Sequence, residues 1–360
     1  MSMTVVVDAL QVGAEPTGVA RLVEGVLRDL ADLPPQFAVE VRCTRESSSQ
    51  FAAACAPGVR IRTPLPRSRP RWRRILYQQL VAPVRDDAHT VLVCVGDQAP
   101  VWGRARVLLC VNDARRFVRP QTSAALEGAF YRALVPRAAR HAAVLATISD
   151  FSRGELRKAL GTSTAIEVVP PHVPAAPRTG GDPGGHVLVV CAVRPYKYVD
   201  TVVAALALLP ASLRRHVVVA GPTEGRAGGL RKLAERHGVA SHVELAGWVN
   251  GATLQRLYET AAATVSPSSY EGFGFSVADS LAYGLPTIAS DIPAHREVAG
   301  EAAAYFPAGD EAALAERLRA VLADPAERER LGGAARSRAQ ELPRGDGWRA
   351  LVLDMVNHGD

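Results

Sequence analysis

Glu271 and Asp279 stand eight residues apart in the stretch SPSSYEGFGFSVADSLAYGLPTIASDIPAHREVAG (Ser266–Gly300), and Gly272, Phe273 and Gly274 directly follow the first. A glycine-bearing loop that runs into a helix offers free backbone N–H groups and the positive end of a dipole, which suits an anion such as phosphate. Carboxylates do not bind phosphate. Beside one, their work is to accept hydrogen bonds from hydroxyls. Phosphate donors next to hydroxyl acceptors describe a pocket for a sugar nucleotide. Upstream, Arg194 and Lys197 lie three apart just beyond the apolar run His186–Ala192. Two cations at the end of a strand are placed to clamp a diphosphate, and the plainer reading is two exposed charges.

These side chains need elements to hold them. Ala261–Ser266 predicts the end of a buried strand, and 267–274 a loop. Ser276 predicts a helix start, with Asp279 at capping-box spacing and Gly284 and Pro286 as its stop. Pro286–Ser290 predicts the next strand. The first half opens on the strand Thr4–Ala9, a loop, and an amphipathic helix from Gly18 with Leu22, Val26, Leu27 and Leu30 on one face. Val39–Cys43, Thr90–Val95, Arg106–Val111 and Val144–Ser149 read as further strands, the middle two largely apolar as parallel strands covered on both faces are. Arg60 to Arg74 is basic and interrupted by Pro64, Pro66 and Pro70, which predicts a loop in its first part, before a helix over Trp72–Val84. The fold class is therefore α/β, with doubly wound sheets.

At 360 residues the length suggests about two domains. The Gly- and Pro-rich segment 175–185 reads as the linker between a first domain, 1–174, and a second, 186–340; helices are predicted over Glu311–Leu322 and Pro325–Gln340, and beyond the second domain over Trp348–Val356. The start, MSMTVVVDAL, lacks a basic region and a cleavage site, so no signal peptide is expected, and no apolar run is long enough to span a bilayer. Five cysteines with no CxxC pair favour free thiols in a reducing cytoplasm over disulfides or a metal site. Residues 1–176 hold 23 Lys and Arg against 15 Asp and Glu, whereas 177–360 hold 19 against 21. A basic first half suits an anionic partner such as a phospholipid surface or a lipid phosphate; a solvated Arg-rich face is the alternative. Nucleic acid is not expected, because aromatic residues are too thinly interleaved with the arginines.

The stretch around Glu271 resembles the C-terminal signature of retaining glycosyltransferases of family four, in which a Glu, seven residues and a second Glu sit in a phrase like EGFGLPxLEAMAxGxPVIAS. Glu271, Gly272, Phe273, Gly274, Gly284 and Pro286 match it, and Asp279 replaces the second Glu. The resemblance implies a GT-B fold: two Rossmann-like domains with a cleft between them, and a C-terminal helix, 341–360, crossing back to the first. It implies a donor site made of Arg194, Lys197, Glu271, Gly272, Phe273, Gly274, Phe275 and Asp279, the last on the nucleotide ribose. It adds Gly18 near the donor phosphates and Trp248 and Val249 beside the nucleobase, with a turn glycine and a core tryptophan as the bland alternatives. Where the family commonly reads His-Asp, this chain reads Asn112-Asp113. Asn112 can orient a hydroxyl on the acceptor side but cannot be a general base. Asp113 is left as a candidate base or acceptor-orienting group, or else a turn cap.

The expected activity is transfer of a sugar from a nucleoside-diphosphate sugar to an acceptor hydroxyl with retention, without a metal or other cofactor. The expected acceptor is a lipid-linked or polysaccharide intermediate or a natural-product sugar, and the expected location is cytoplasmic or peripheral at the inner membrane face. A phosphorylase, a sugar-nucleotide epimerase and a catalytically silent binding protein are the rivals.

Overall fold

The computed structural model describes residues 3–15, 17–122, 125–162, 164–177, 180–343 and 347–357. The chain divides into two compact units: Met1–His172 with Pro343–Asp360, and Val173–Leu342.

The first unit is built on a parallel sheet of seven strands: β1 (Met3–Asp8), β2 (Phe37–Thr44), β3 (Arg60–Leu65), β4 (Thr90–Val95), β5 (Arg106–Cys110), β6 (Val144–Thr147) and β7 (Ile166–Val168). Their order is β3-β2-β1-β4-β5-β6-β7. Every residue of β4 is buried, and Val6, Leu92, Val107 and Leu109 pack with Tyr131, Val135 and Leu156 from the covering helices. Residues 60–65 are strand, not the loop their prolines predict. β3 is the edge strand, where Pro64 breaks no interior ladder. The helix Ala125–His141 has only a weak apolar stripe and carries Pro136, so periodicity did not single it out. The C-terminal helix Gly347–Asn357 belongs to this unit: Trp348, Val352 and Met355 are buried, the Trp348 N–H donates to Asp29 Oδ2 at 2.9 Å, and Arg106 Nη1 donates to the Met355 carbonyl at 2.8 Å.

The second unit carries a parallel sheet of six strands: β8 (His186–Val190), β9 (Val217–Ala220), β10 (Val243–Gly247), β11 (Ala261–Ser266), β12 (Thr287–Ser290) and β13 (Ala304–Phe306), in the order β10-β9-β8-β11-β12-β13. Val187, Val189 and Val219 meet Val202, Leu206 and Leu318 in its core. Within the expected linker, Arg178 and Thr179 lie outside the described residues, while 180–185 is docked rather than loose. The Asp182 N–H donates to the Ala261 carbonyl at 3.1 Å, and Gly181 and Gly185 approach the backbone of Ala261 and Thr260 too closely to admit a Cβ.

The five cysteines are free thiols, and burial pushes Cys43 up to about 11 and Cys191 up to about 12, so neither is a reactive thiolate at neutral pH. Among the described residues no helix is long and apolar enough to cross a membrane.

Candidate functional site

Each sheet reverses its direction of growth next to its first strand. In the second unit the chain leaves β8 toward β9 and β10, then returns to lay β11 on the other side of β8. The loops at the carboxyl ends of β8 and β11 therefore diverge from a shared point, which is where open α/β sheets hold ligands. Both loops bear the residues singled out by type and spacing.

After β8, Pro195–Lys197 forms one 3₁₀ turn, closed by Tyr198 in the left-handed region with φ 46°. The turn directs Lys197 inward, where its Nζ pairs with Glu271 Oε1. The two side chains are 15% and 17% exposed, and the Ser268 hydroxyl donates to the same Glu271 oxygen at 2.7 Å. Burial works against both charges; their mutual attraction wins, holding Glu271 below and Lys197 above its ordinary range. Arg194 points elsewhere, to Glu224 at 3.1 Å, in a half-exposed pair. The loops are tied together by the Ser269 N–H, which donates to the Tyr196 carbonyl at 2.8 Å.

Gly272, Phe273 and Gly274 then lead into the helix Phe275–Ala282, whose N-cap is Gly274 at φ 107°. Phe273 and Phe275 pack edge to face with ring centroids 5.5 Å apart. The helix thus starts one residue before Ser276. This removes the capping box: Asp279 is the fifth residue of the helix, a full turn past any cap, and Ser276 spends its hydroxyl on Ser266 at 2.8 Å.

A residue that no motif marked completes the loop. His295, fully buried, packs its ring against Gly274, at 3.2 Å from where a Cβ would stand. Its Nδ1 lies 2.9 Å from the Ser290 carbonyl, which can only accept, so Nδ1 carries the proton. Nε2 has no partner among the described residues, and burial holds the imidazole neutral by lowering its pKa from 6.5. The Ser290 hydroxyl in turn donates to the Ser268 carbonyl. The only signal in sequence was a histidine among the apolar positions of IPAHREV.

Trp248 follows Gly247 at the end of β10 and is 41% exposed, so it is not a core residue; Val249 packs with Leu188, Val218 and Tyr258. The two neighbours face opposite environments. Gly221 holds these loops in line: its N–H donates to the Gly247 carbonyl at 2.7 Å, and the Cys191 carbonyl occupies the place of its missing Cβ.

In the first unit the reversal lies between β1 and β4. Gly18 is the first residue of the helix Gly18–Asp29, and Gln11 in the loop before it donates to the Val95 carbonyl at the end of β4. Gly96 and Asp97 follow, both at positive φ (100° and 75°). Asp97 is buried, and it is the second residue that sequence reasoning missed. One of its oxygens accepts the Asn112 N–H at 2.7 Å and the other meets Arg116 at 3.2 Å. Burial pushes its carboxyl up to about 6, with Arg116 opposing and Asp113 adding to the rise. Arg116 continues to Glu127 at 3.2 Å, which also pairs with Arg71. Asp113 accepts the Arg115 N–H at 2.8 Å, so the turn-cap role foreseen for it is filled.

Comparison with known proteins adds the following. Residues 183–338 match the family model described as Glycosyl transferases group 1. Over 177 residues the chain is 35% identical to a D-inositol 3-phosphate glycosyltransferase of Thermomonospora curvata, covering 46% of this chain and 40% of that protein. Over 232 residues it is 26% identical to O-antigen chain mannosyltransferase B of Escherichia coli, covering 60% of each. The chain thus spans about half the length of these curated relatives. Among solved structures, HepE of Anabaena in complex with UDP and glucose superposes with a TM-score of 0.75 at 14% identity, over 99% of both chains. WaaG, a glycosyltransferase involved in lipopolysaccharide biosynthesis, does so with a TM-score of 0.70 at 16% identity, over 98% of this chain and 99% of that one. The fold is the two-domain, Rossmann-like GT-B fold.

Proposed function

We propose, from the premise that residues 183–338 are a glycosyl transferases group 1 domain in a chain of GT-B fold, that the protein transfers a sugar from a nucleoside-diphosphate sugar to an acceptor hydroxyl with retention. The observation that carries this is the largely buried Lys197–Glu271 pair beside the Gly272–Gly274 turn, at the strand reversal of the second unit.

In this reading the diphosphate lies against the backbone N–H groups at the start of the helix Phe275–Ala282, with Lys197 and Arg194 adding positive charge. Losing the diphosphate from the anomeric carbon concentrates negative charge on its outer oxygens. Fixed donors aimed there stabilise that charge without reorganising, and removing one costs roughly 10²–10³ in rate. Lys197 is held in place by Glu271, and with Arg194 turned from Glu224 toward the donor the two cations would serve in place of a metal ion. Both bonds to Glu271 end on Oε1, so Oε2 is the atom we assign to donor-sugar hydroxyls. Asp279 is assigned to the ribose, which its position away from the cap supports. Retention follows from the family-four phrase: the acceptor attacks from the leaving-group face and the departing phosphate takes its proton. The first unit, with Asn112 and Asp113, is assigned to a sugar-containing acceptor, lipid-linked or polysaccharide.

A thermal-shift screen of nucleoside diphosphates and their sugars tests this, because a ligand that binds only the native state raises its stability. One diphosphate series should raise the melting temperature, and Arg194→Ala should abolish the rise while leaving the unliganded melt unchanged. No shift from any nucleotide would refute the donor assignment. A shift without turnover, and without donor hydrolysis when acceptor is withheld, would favour a silent binding protein.

A further inference from the structure

His295 has no work in the reaction proposed above, yet the fold holds it firmly. Ser290 ends β12, and the helix Pro293–Ala299 that follows carries the histidine in its first turn. That helix is pinned at its far end: the Tyr305 hydroxyl donates to the Gly300 carbonyl at 2.6 Å, and Arg338 Nε donates to the Val298 carbonyl at 2.8 Å. The imidazole is fully buried, with its Nδ1–H given to the Ser290 carbonyl. The ring edge that bears Cδ2 and Nε2 faces Gly274, at 3.2 and 3.8 Å from where a Cβ would stand. Nε2 is therefore a bare lone pair without a partner among the described residues, set against the residue that launches the helix Phe275–Ala282. An apolar side chain would fill the same space without burying an unpaired acceptor, which destabilises a fold.

The charges around the ring show what the nitrogen can do. Glu271 favours a proton on it, Lys197 opposes one, and burial outweighs the difference, so the imidazole stays neutral with its pKa below 6.5. Arg296, next on the same helix, is half-exposed and paired with Asp291 at 2.8 Å. Asp279, the charge of the helix Phe275–Ala282, stands a full turn beyond Gly274. The Cys191 thiol near the Lys197–Glu271 pair is pushed up to about 12 and stays neutral. A diphosphate at the start of that helix changes the balance. It sets negative charges on one side of the turn while the base lies buried on the other, where screening is weak. We infer that His295 binds a proton at Nε2 when a nucleoside diphosphate occupies the turn, supplying the donor site with a positive charge that it lacks when empty. This rests on the donor reading above. The proton comes from solvent: an N–H bond forms at Nε2 as one to hydrogen breaks in the buffer acid, and the exchange reverses when the nucleotide leaves. His295 is thus a positioning residue, acting on the departing diphosphate through the turn and through charge, without touching it.

Calorimetric titration of the full chain with UDP, GDP and ADP, at about pH 7.5 in buffers of different ionisation enthalpy, counts the protons that enter with the ligand. A terminal phosphate has a pKa of about 6, so the free nucleotide is already ionised and any uptake belongs to the protein. The nucleotide that binds should bring in roughly half to one proton, and its affinity should weaken about three- to ten-fold between pH 7 and pH 8. His295→Asn keeps an N–H for the Ser290 carbonyl but cannot be protonated. It should bind without proton uptake and with an affinity that does not change over that range. His295→Gln fills more of the ring's space and serves where the first variant folds poorly. A histidine that only packs would weaken binding when replaced but would move no proton in wild type. Binding without uptake in wild type, or equal uptake in either variant, overturns the inference and leaves the donor reading in place. Binding of none of the three nucleotides removes the donor reading and this inference with it.

Discussion

Lys197 and Glu271 each sit in the well of the other's charge, and this sets what their variants can report. Lys197 is not an exposed cation that can be removed without cost to the fold. Removing one partner strands the other charge inside, which costs about 3–5 kcal/mol. Lys197→Met should therefore melt well below wild type, and Lys197→Met with Glu271→Gln should recover much of the loss while staying inactive. Equal melting of the single and double variants would show that the pair carries no such coupling. The pair adds no pH-dependence near neutrality. Glu271 is lowered, so its contribution is lost only as pH falls below about 4.5; Lys197 is raised, so its contribution is lost only above about 10.5. Asp97 is different. Its carboxyl is raised to about 6, so the native state keeps a proton that the unfolded chain releases near 4, and stability declines as pH rises between them. The same titration frees or engages the Asn112 N–H and Arg116, so turnover should fall on the acid side with a midpoint near pH 6. In Asp97→Asn that limb should vanish; a limb that persists would assign it to another group. Glu271 and Lys197 were legible because each stands at a glycine turn or strand end that carries its own signal. Asp97 and His295 were not, because Gly-Asp after a strand and His within IPAHREV become meaningful only once their neighbours in space are known.

Among the elements, the buried strands were legible because strands covered on both faces must be apolar throughout. The failures are physical too. Pro64 looked like a breaker because sequence does not say which strand will be the edge. The capping box at Ser276 and Asp279 dissolved because Gly274, not Ser276, takes the left-handed turn that launches the helix. That glycine is an element-scale lever. An L side chain there is strained at φ 107°, at about 1–2 kcal/mol, and would press its Cβ on the His295 ring. Gly274→Ala should lower the melting temperature by several degrees and weaken nucleoside-diphosphate binding at least ten-fold by calorimetry. Unchanged affinity would separate the turn from the donor.

At the scale of the molecule, both units are built the same way, each sheet reversing beside its first strand, and the chain passes from one unit to the other twice, after His172 and after Leu342. The last helix is a structural member of the first unit. Trp348 is buried there, and truncating such a tryptophan costs about 3–5 kcal/mol. Trp348→Ala should thus lower the first unit's calorimetric transition and leave that of the second in place; a uniform shift of both would mean that the units melt as one.

The return of residues 347–357 also has a consequence for how the protein is made. Synthesis runs from the N-terminus, so the ribosome finishes the entire 173–342 unit before it supplies the helix that covers Asp29 and Arg106. The unit whose chain begins first is the one that closes last. Until Trp348 emerges, the nascent first unit waits with that part of its core open, and a chaperone that shields nascent chains would find its binding surface there.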